Sequence, residues 1–296
     1  MLDAYILVSH GTVDDLADLP AFICNIRRGH DAPAEMIAEV TRRYAAVGGS
    51  PLNRVNRQVA ELLEGRLRRP VRVANRLWHP YPRVVLSELR EGGAKSVGVI
   101  ALAQHSAHIY NDAVREAAQE IGDLTVQCAS NWGQSILLTQ AIAAAIEAEV
   151  LSTPDDRFEV VMTAHSLPVS VVRAGDPYED EVRLSAASIA ERAGIATYRV
   201  AFQSQGMSAG PDGRPVEWLG PNLVQTLDDL KSSGNRGVVV APIGFLADHT
   251  EILYDIDVEM RALAEERGMW LRRTASLNAT PRFVDALEDI ARKLGT

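Results

Sequence analysis

Residues 5–12 read YILVSHGT and residues 160–167 read VVMTAHSL. Each is a short apolar run that stops at a histidine. Such a run is too short for a buried helix and lacks the alternation of a half-exposed strand, so it reads as a strand covered on both faces, as at the centre of a parallel sheet. A second echo sets residues 100–111, IALAQHSAHIYN, beside residues 240–250, VAPIGFLADHT. There a strand again delivers histidines to a loop ahead of a helix. The two echoes together point to duplication of a four-stranded α/β unit.

Working outward, strand-like runs fall near 4–9, 71–77, 96–103, 124–129, 158–164, 196–203, 237–243 and 271–276. Helical periodicity fills the intervals near 33–46, 52–68, 80–92, 109–121, 133–150, 178–193, 221–233, 250–267 and 280–294. Strands that alternate with helices predict βαβ units and parallel sheets. Eight such units can close as a barrel. The polar stretch LSTPDDR at 151–157, following a long helix, reads instead as a linker and favours two open, doubly wound sheets. In open α/β sheets ligands bind beyond the carboxyl ends of the strands, so the histidine-bearing ends are expected to converge on one cleft between the halves.

Composition narrows the partners. The chain has 296 residues and a formal charge of −9, which argues against nucleic acid as a ligand because phosphate backbones are held by dense basic surfaces. The arginines are nevertheless uneven: Arg27, Arg28, Arg42, Arg43, Arg54, Arg57, Arg66, Arg68, Arg69, Arg72 and Arg76 crowd the first quarter, which suits an anionic small molecule. Cys24 and Cys128 are too few for an iron–sulfur cluster and lack zinc-site spacing. Residues 1–3 run straight into the first strand with no basic leader, and the apolar run 136–150 is interrupted by Gln140, Glu147 and Glu149. A cytoplasmic monomer with no transmembrane segment is expected, any membrane contact being peripheral.

Two places can carry chemistry. His165 ends the strand 158–164, where it either caps the strand or faces a ligand. Glu251, Asp255 and Glu259 recur at intervals of four behind the strand near 237–243, which puts three carboxylates on one helical face. Such a stripe is a solvated surface or an oxygen-ligand path for a cation or proton. Asp248 or Thr250 is expected to cap that helix. Other chemistries fail on spacing: Ser204 lacks the glycine of a nucleophile elbow, and residues 48–51, GGSP, lack the lysine of a phosphate loop.

Taken in order, SHGT (9–12), NIRRG (25–29), RRYAAVGGSPLN (42–53), TAHSLP (163–168), GDPY (175–178), FQSQG (202–206), EWLGPN (217–222) and PIGFLADHTEILYDID (242–257) resemble the ferrochelatase family over essentially the whole chain. The resemblance implies two similar Rossmann-like domains, here residues 1–150 and 151–279, with the C-terminal helix 280–296 packing back on the first and the porphyrin in the cleft. It implies insertion of Fe2+ into a porphyrin, with His165 and Glu251 as the metal-site pair and Asp255 and Glu259 as a path to solvent. His10, Arg27, Arg43, Tyr44, Ser50 and Tyr110 match positions that hold the porphyrin. Iron enters as a substrate, and no resident cofactor is expected. The chain is most similar to the compact branch using coproporphyrin III, with protoporphyrin IX the other candidate. At the position of a tyrosine that ligates product iron in many coproporphyrin-using relatives stands His10, which is expected to ligate iron from the face opposite His165 or to bond the loop around Thr12. The competing readings are a haem-binding protein on a chelatase scaffold and a cobalt or nickel chelatase of another tetrapyrrole.

Overall fold

A computed structural model describes residues 2–154, 156–205 and 215–295. Asp155 of the expected linker and Gly206 of the FQSQG motif lie outside the described residues. The chain divides into two compact units, Met1–Trp132 with Leu246–Thr250 and Asn278–Thr296, and Gly133–Phe245 with Glu251–Leu277.

In the first unit β1 (Ala4–Ser9) is followed by a 3-10 turn (Leu16–Asp18), α1 (Leu19–Ile26), α2 (Ala34–Ala46) and α3 (Leu52–Leu67). Then come β2 (Val71–Asn75), α4 (Pro82–Glu91), β3 (Ser96–Ala101), α5 (Ala107–Ile121) and β4 (Thr125–Cys128). The sheet order is β2-β1-β3-β4, all parallel. β1 is buried at every position, as its unalternating sequence requires. Ile6, Val8, Val97 and Val99 form a core with Val85, Leu86 and Val114 of the covering helices. Each such side chain contributes about 2 kcal/mol by leaving water.

The second unit holds α6 (Ile136–Leu151), β5 (Phe158–His165), α7 (Val169–Arg173), α8 (Tyr178–Arg192), β6 (Tyr198–Gln203), α9 (Leu223–Ser232) and β7 (Gly237–Ala241). It continues through a π-helix (Ile252–Met260), α10 (Arg261–Glu266) and β8 (Trp270–Arg273), before α11 (Pro281–Leu294) closes the chain in the first unit. The second sheet runs β6-β5-β7-β8, again all parallel. Both sheets thus place their first strand second in the order, which is the duplication suggested by the two histidine-ended strands. Its core gathers Val161, Ala201, Val238 and Val240 with Leu223, Leu227, Ile252 and Ile256. Asn222 begins α9 with a capping box, its side chain accepting from the Gln225 backbone N–H at 2.8 Å while the Gln225 side chain accepts from the Asn222 backbone N–H at 3.0 Å.

Two expectations need correction. The boundary at residue 150 falls inside the second unit, because α6 packs on α8 and β7, and so the first unit's main segment ends at Trp132. The helix expected over 250–267 is wound as a π-helix over Ile252–Met260 and as an α-helix over Arg261–Glu266, a difference that a hydrophobic pattern does not reveal. α11 packs on α3 and β3, where Arg66 pairs with Asp285 and Glu288, and the fully buried Phe283 stacks with Trp132 at 6.4 Å. Among the described residues no helix is long and apolar enough to cross a membrane.

Candidate functional site

In the second sheet the chain leaves β5, adds β6 on one side and then β7 on the other, which makes the carboxyl ends of β5 and β7 a topological switch point, where such sheets bind ligands. His165 is the last residue of β5. Its Nδ1 lies 2.6 Å from the Ser166 carbonyl oxygen. A carbonyl has no proton to give, so Nδ1 carries the hydrogen, and in the neutral ring the lone pair sits on Nε2. That nitrogen is 3.7 Å from Glu251 Oε2, and the two side chains remain 40% and 47% exposed. The separation is too long for a hydrogen bond. It suits a shared cation: with metal–ligand bonds of about 2.1 Å, a 3.7 Å span closes at an angle of about 120° on the ion.

Three of the quoted motifs build the support for this pair. Ser166 N–H donates to the Gln203 carbonyl at 2.7 Å, and its buried hydroxyl donates to the Leu219 carbonyl at 2.9 Å. Leu219 N–H and Val169 N–H donate in turn to Leu167 and Glu217, so EWLGPN clamps the loop after His165. From GDPY, the buried Tyr178 donates its hydroxyl to the His165 carbonyl at 2.9 Å, while Asp176 Oδ1 accepts from the Tyr178 amide at 3.0 Å. PIGF brings up the other partner. Gly244 N–H donates to the Thr163 carbonyl at 3.0 Å, and a Cβ at Gly244 would stand 2.7 Å from Ala164 Cβ and 2.8 Å from its Cα. Only a glycine lets this loop lie against β5 one residue before His165.

Of the acidic stripe, Glu251 and Glu259 are exposed and Asp255 is half-buried. Four residues slightly exceed an α turn and fall slightly short of a π turn, so the three carboxylates stay on one face in either geometry. Ser204 donates to Asp255 Oδ2 at 2.8 Å. Asp257 is held by Arg273 through two contacts of 2.9 and 2.8 Å, which anchors the helix on β8. Tyr178, Gly244 and the Ser204–Asp255 contact were not singled out as site features in the sequence. GDPY and PIGF carried a signal for the first two, whereas a contact between β6 and the π-helix leaves no mark in one dimension.

Of the two expected caps, Asp248 is bonded to Asn278, its Oδ2 accepting from Asn278 Nδ2 at 2.9 Å and its N–H donating to Asn278 Oδ1 at 2.9 Å. The Thr250 hydroxyl is buried without a hydrogen-bond partner, so the expectation that it caps the helix is corrected.

In the first unit His10 follows β1 and is exposed, with Tyr110 Oη 3.5 Å from its Nδ1 and the Phe22 ring edge-on at 6.4 Å. Arg76 lies over the Tyr110 ring at 5.9 Å. Tyr44 is buried with its hydroxyl 3.0 Å from Thr12 Oγ1, and Asn53 donates to the Thr12 carbonyl at 2.8 Å. Arg27, at the end of α1, donates to the His30 carbonyl at 3.3 Å. Arg43, in the last turn of α2, pairs with Glu39 at 2.7 Å. Hydrogen bonds from Arg42 and Arg43 hold the Glu39 carboxyl down to about 2, so it stays ionised beside them. The Ser50 hydroxyl is enclosed without a partner. His105 is 3% exposed, and burial pushes its imidazole down to about 4, which keeps it neutral and inside the fold.

The ferrochelatase family model matches residues 3–294. A ferrochelatase of Acidobacterium capsulatum is 36% identical over 312 residues, covering 98% of this chain and 93% of the relative. The coproporphyrin III ferrochelatase of Bacillus subtilis is 32% identical over 307 residues, covering 98% of this chain and 97% of the relative. Among solved structures, SirB from Bacillus subtilis with Fe3+ superposes at a TM-score of 0.60 with 15% identity, covering 99% of this chain and 96% of SirB, a likeness of fold.

Proposed function

Since the chain belongs to the ferrochelatase family and is an enzyme that inserts Fe2+ into a porphyrin in haem biosynthesis, we propose that His165 and Glu251 carry the exchange of protons for metal and that the porphyrin is coproporphyrin III. The observation that carries the first part is the 3.7 Å approach of Glu251 to the imidazole nitrogen that bears the lone pair.

Insertion replaces two pyrrole N–H protons with one Fe2+, so the ring's charge is unchanged and two protons must leave. Neutral His165 accepts one at Nε2, the nitrogen whose lone pair is turned toward Glu251. Glu251 meets the incoming ion, replaces part of its water shell and takes the second proton as the ion is released to the ring. Asp255 and Glu259 carry protons or metal between that carboxylate and solvent along one face of the π-helix. Tyr178 and Ser166 hold the imidazole in place through the backbone at 165 and 166, so the base does not reorganise during transfer. No resident cofactor enters this scheme.

In the first unit Arg27, Arg43, Ser50, Tyr44 and Tyr110 are proposed to hold the propionates and edge of the porphyrin. Coproporphyrin III has more propionates than protoporphyrin IX, which fits a surface rich in arginine, and relatives 30–32% identical carry that substrate in their names. His10 is proposed as a ligand of product iron. The enzyme is proposed to act as a cytoplasmic monomer. The test is anaerobic incubation with Fe2+ and each porphyrin, followed by the Soret shift: coproporphyrin III is expected to react with the higher kcat/KM, and a preference for protoporphyrin IX would overturn the assignment. The haem-bound spectrum of His10→Ala checks the ligand, since an unchanged axial signature removes it.

A further inference from the structure

The second sheet carries a buried amide that the scheme above does not use. Gln203 ends β6, is 6% exposed, and neither its Oε1 nor its Nε2 has a hydrogen-bond partner. Two polar groups at the same strand ends are committed elsewhere: the Ser204 hydroxyl goes to Asp255, and His165 Nδ1 goes to Ser166. The buried Thr163 hydroxyl is also unpartnered, so the two do not satisfy each other. The contrast with the first sheet is instructive. Asn75, which ends the corresponding strand β2, donates its amide to the His79 carbonyl at 2.7 Å and leaves only its Oδ1 without a partner, whereas both polar atoms of Gln203 are left so.

Register and pleat fix where the Gln203 amide points. Gln203 is the direct cross-strand partner of His165, and paired residues of neighbouring strands project from the same face of a sheet. Ala201 and Val161, two and four residues earlier on the same two strands, lie in the core with Ile252 and Ile256 of the π-helix. Alternation therefore sends His165 and Gln203 to the face covered by the helix that bears Glu251 and Asp255. Phe202 faces the other way, under Arg183 of α8 at 5.7 Å. A buried amide without a protein partner costs stability until something bonds it, which points to a ligand or its water at this end of the sheet.

We infer that Gln203 is a further residue of the metal-insertion site: its amide oxygen accepts a hydrogen bond from a water of the hydrated ferrous ion as that ion reaches His165 and Glu251. Desolvation of the ion then proceeds against a fixed acceptor beside the base. The inference rests on the proposed role of His165 and Glu251 and adds a group that acts on the metal rather than on the porphyrin.

Gln203→Leu and the near-isosteric Gln203→Met test it. Each removes an unsatisfied buried amide, so each is expected to melt at or above the parent temperature, while the KM for Fe2+ rises about tenfold and the KM for porphyrin stays within twofold. A lowered melting temperature in both variants, or an unchanged KM for iron in either variant that folds, overturns the inference. His165→Ala measured alongside separates the two readings: if that variant loses turnover while Gln203→Leu keeps its iron KM, only Gln203 is excluded, whereas a fully active His165→Ala excludes the base itself.

Discussion

Replacing Gly244 with alanine tests how the metal-site pair is assembled. The new Cβ would lie 2.7 Å from Ala164 Cβ and 2.8 Å from Ala164 Cα, where carbon atoms pack at about 3.5–4 Å. Neither neighbour can swing aside: one is a methyl fixed to the backbone, the other is the backbone of β5, and Ala164 is fully buried. Gly244 does not occupy the left-handed region, so the substitution adds a contact without dihedral strain. The loop must therefore lift by about 1 Å, which weakens the Gly244 to Thr163 hydrogen bond and carries Glu251 away from His165. Overpacking of this kind costs about 1–3 kcal/mol, and a displacement of about 1 Å at reacting groups costs about 100-fold in rate. Thermal melting and anaerobic iron insertion read the two effects separately. A fall of about 3–10 °C in Tm is expected, with kcat down by about two orders of magnitude. Ala164→Gly in the same chain should restore part of the stability, because it removes the nearer of the two collisions and leaves the other. A Gly244→Ala enzyme with unchanged Tm and kcat within twofold would refute the reasoning.

Tyr178→Phe removes the hydroxyl bond to the His165 carbonyl and should cost about 1 kcal/mol in stability, with kcat falling several-fold and porphyrin KM unchanged in steady-state assays. Glu39→Gln loosens the ion pair on Arg43 and should lower the KM for a propionate-bearing porphyrin by a factor of about 2–5, the range of an exposed ion pair, and the effect should shrink in added salt. His105 gives a pH signature: its folded value of about 4 lies below its unfolded value near 6.5, so the unfolded chain binds the extra proton first. Its contribution is complete above pH 6.5 and is lost as pH falls towards 4, on the order of 3 kcal/mol. Urea titrations across that range should find a flatter stability profile in His105→Gln.

The parallel sheets were legible because their central strands are covered on both faces and so show no alternation, as in 5–8 and 160–164. His165 and Glu251 stand out in the sequence because one ends such a strand and the other opens the helical pattern after one, and the structure brings them within 3.7 Å. α1 was missed since Pro20 and the charged residues before it break the periodicity at its start, and α7 is a single turn without a pattern of its own. α6 was assigned to the wrong half because its apolar residues run all round and give no direction for packing. The π-helix and the orphaned amide of Gln203 depend on which elements meet, so they became visible only in three dimensions.

The central claim is that one imidazole and one carboxylate act on the same iron. Pre-steady-state iron insertion by His165→Ala, Glu251→Gln and the double variant, all checked for parental melting, tests it most directly. Each single variant should lose at least about 100-fold in the insertion step, in line with what a positioned acid or base contributes, and the double variant should fall little further because the pair works as a unit. A folded single variant that keeps its insertion rate within about threefold, or a double variant whose loss is the product of the two, would contradict the account.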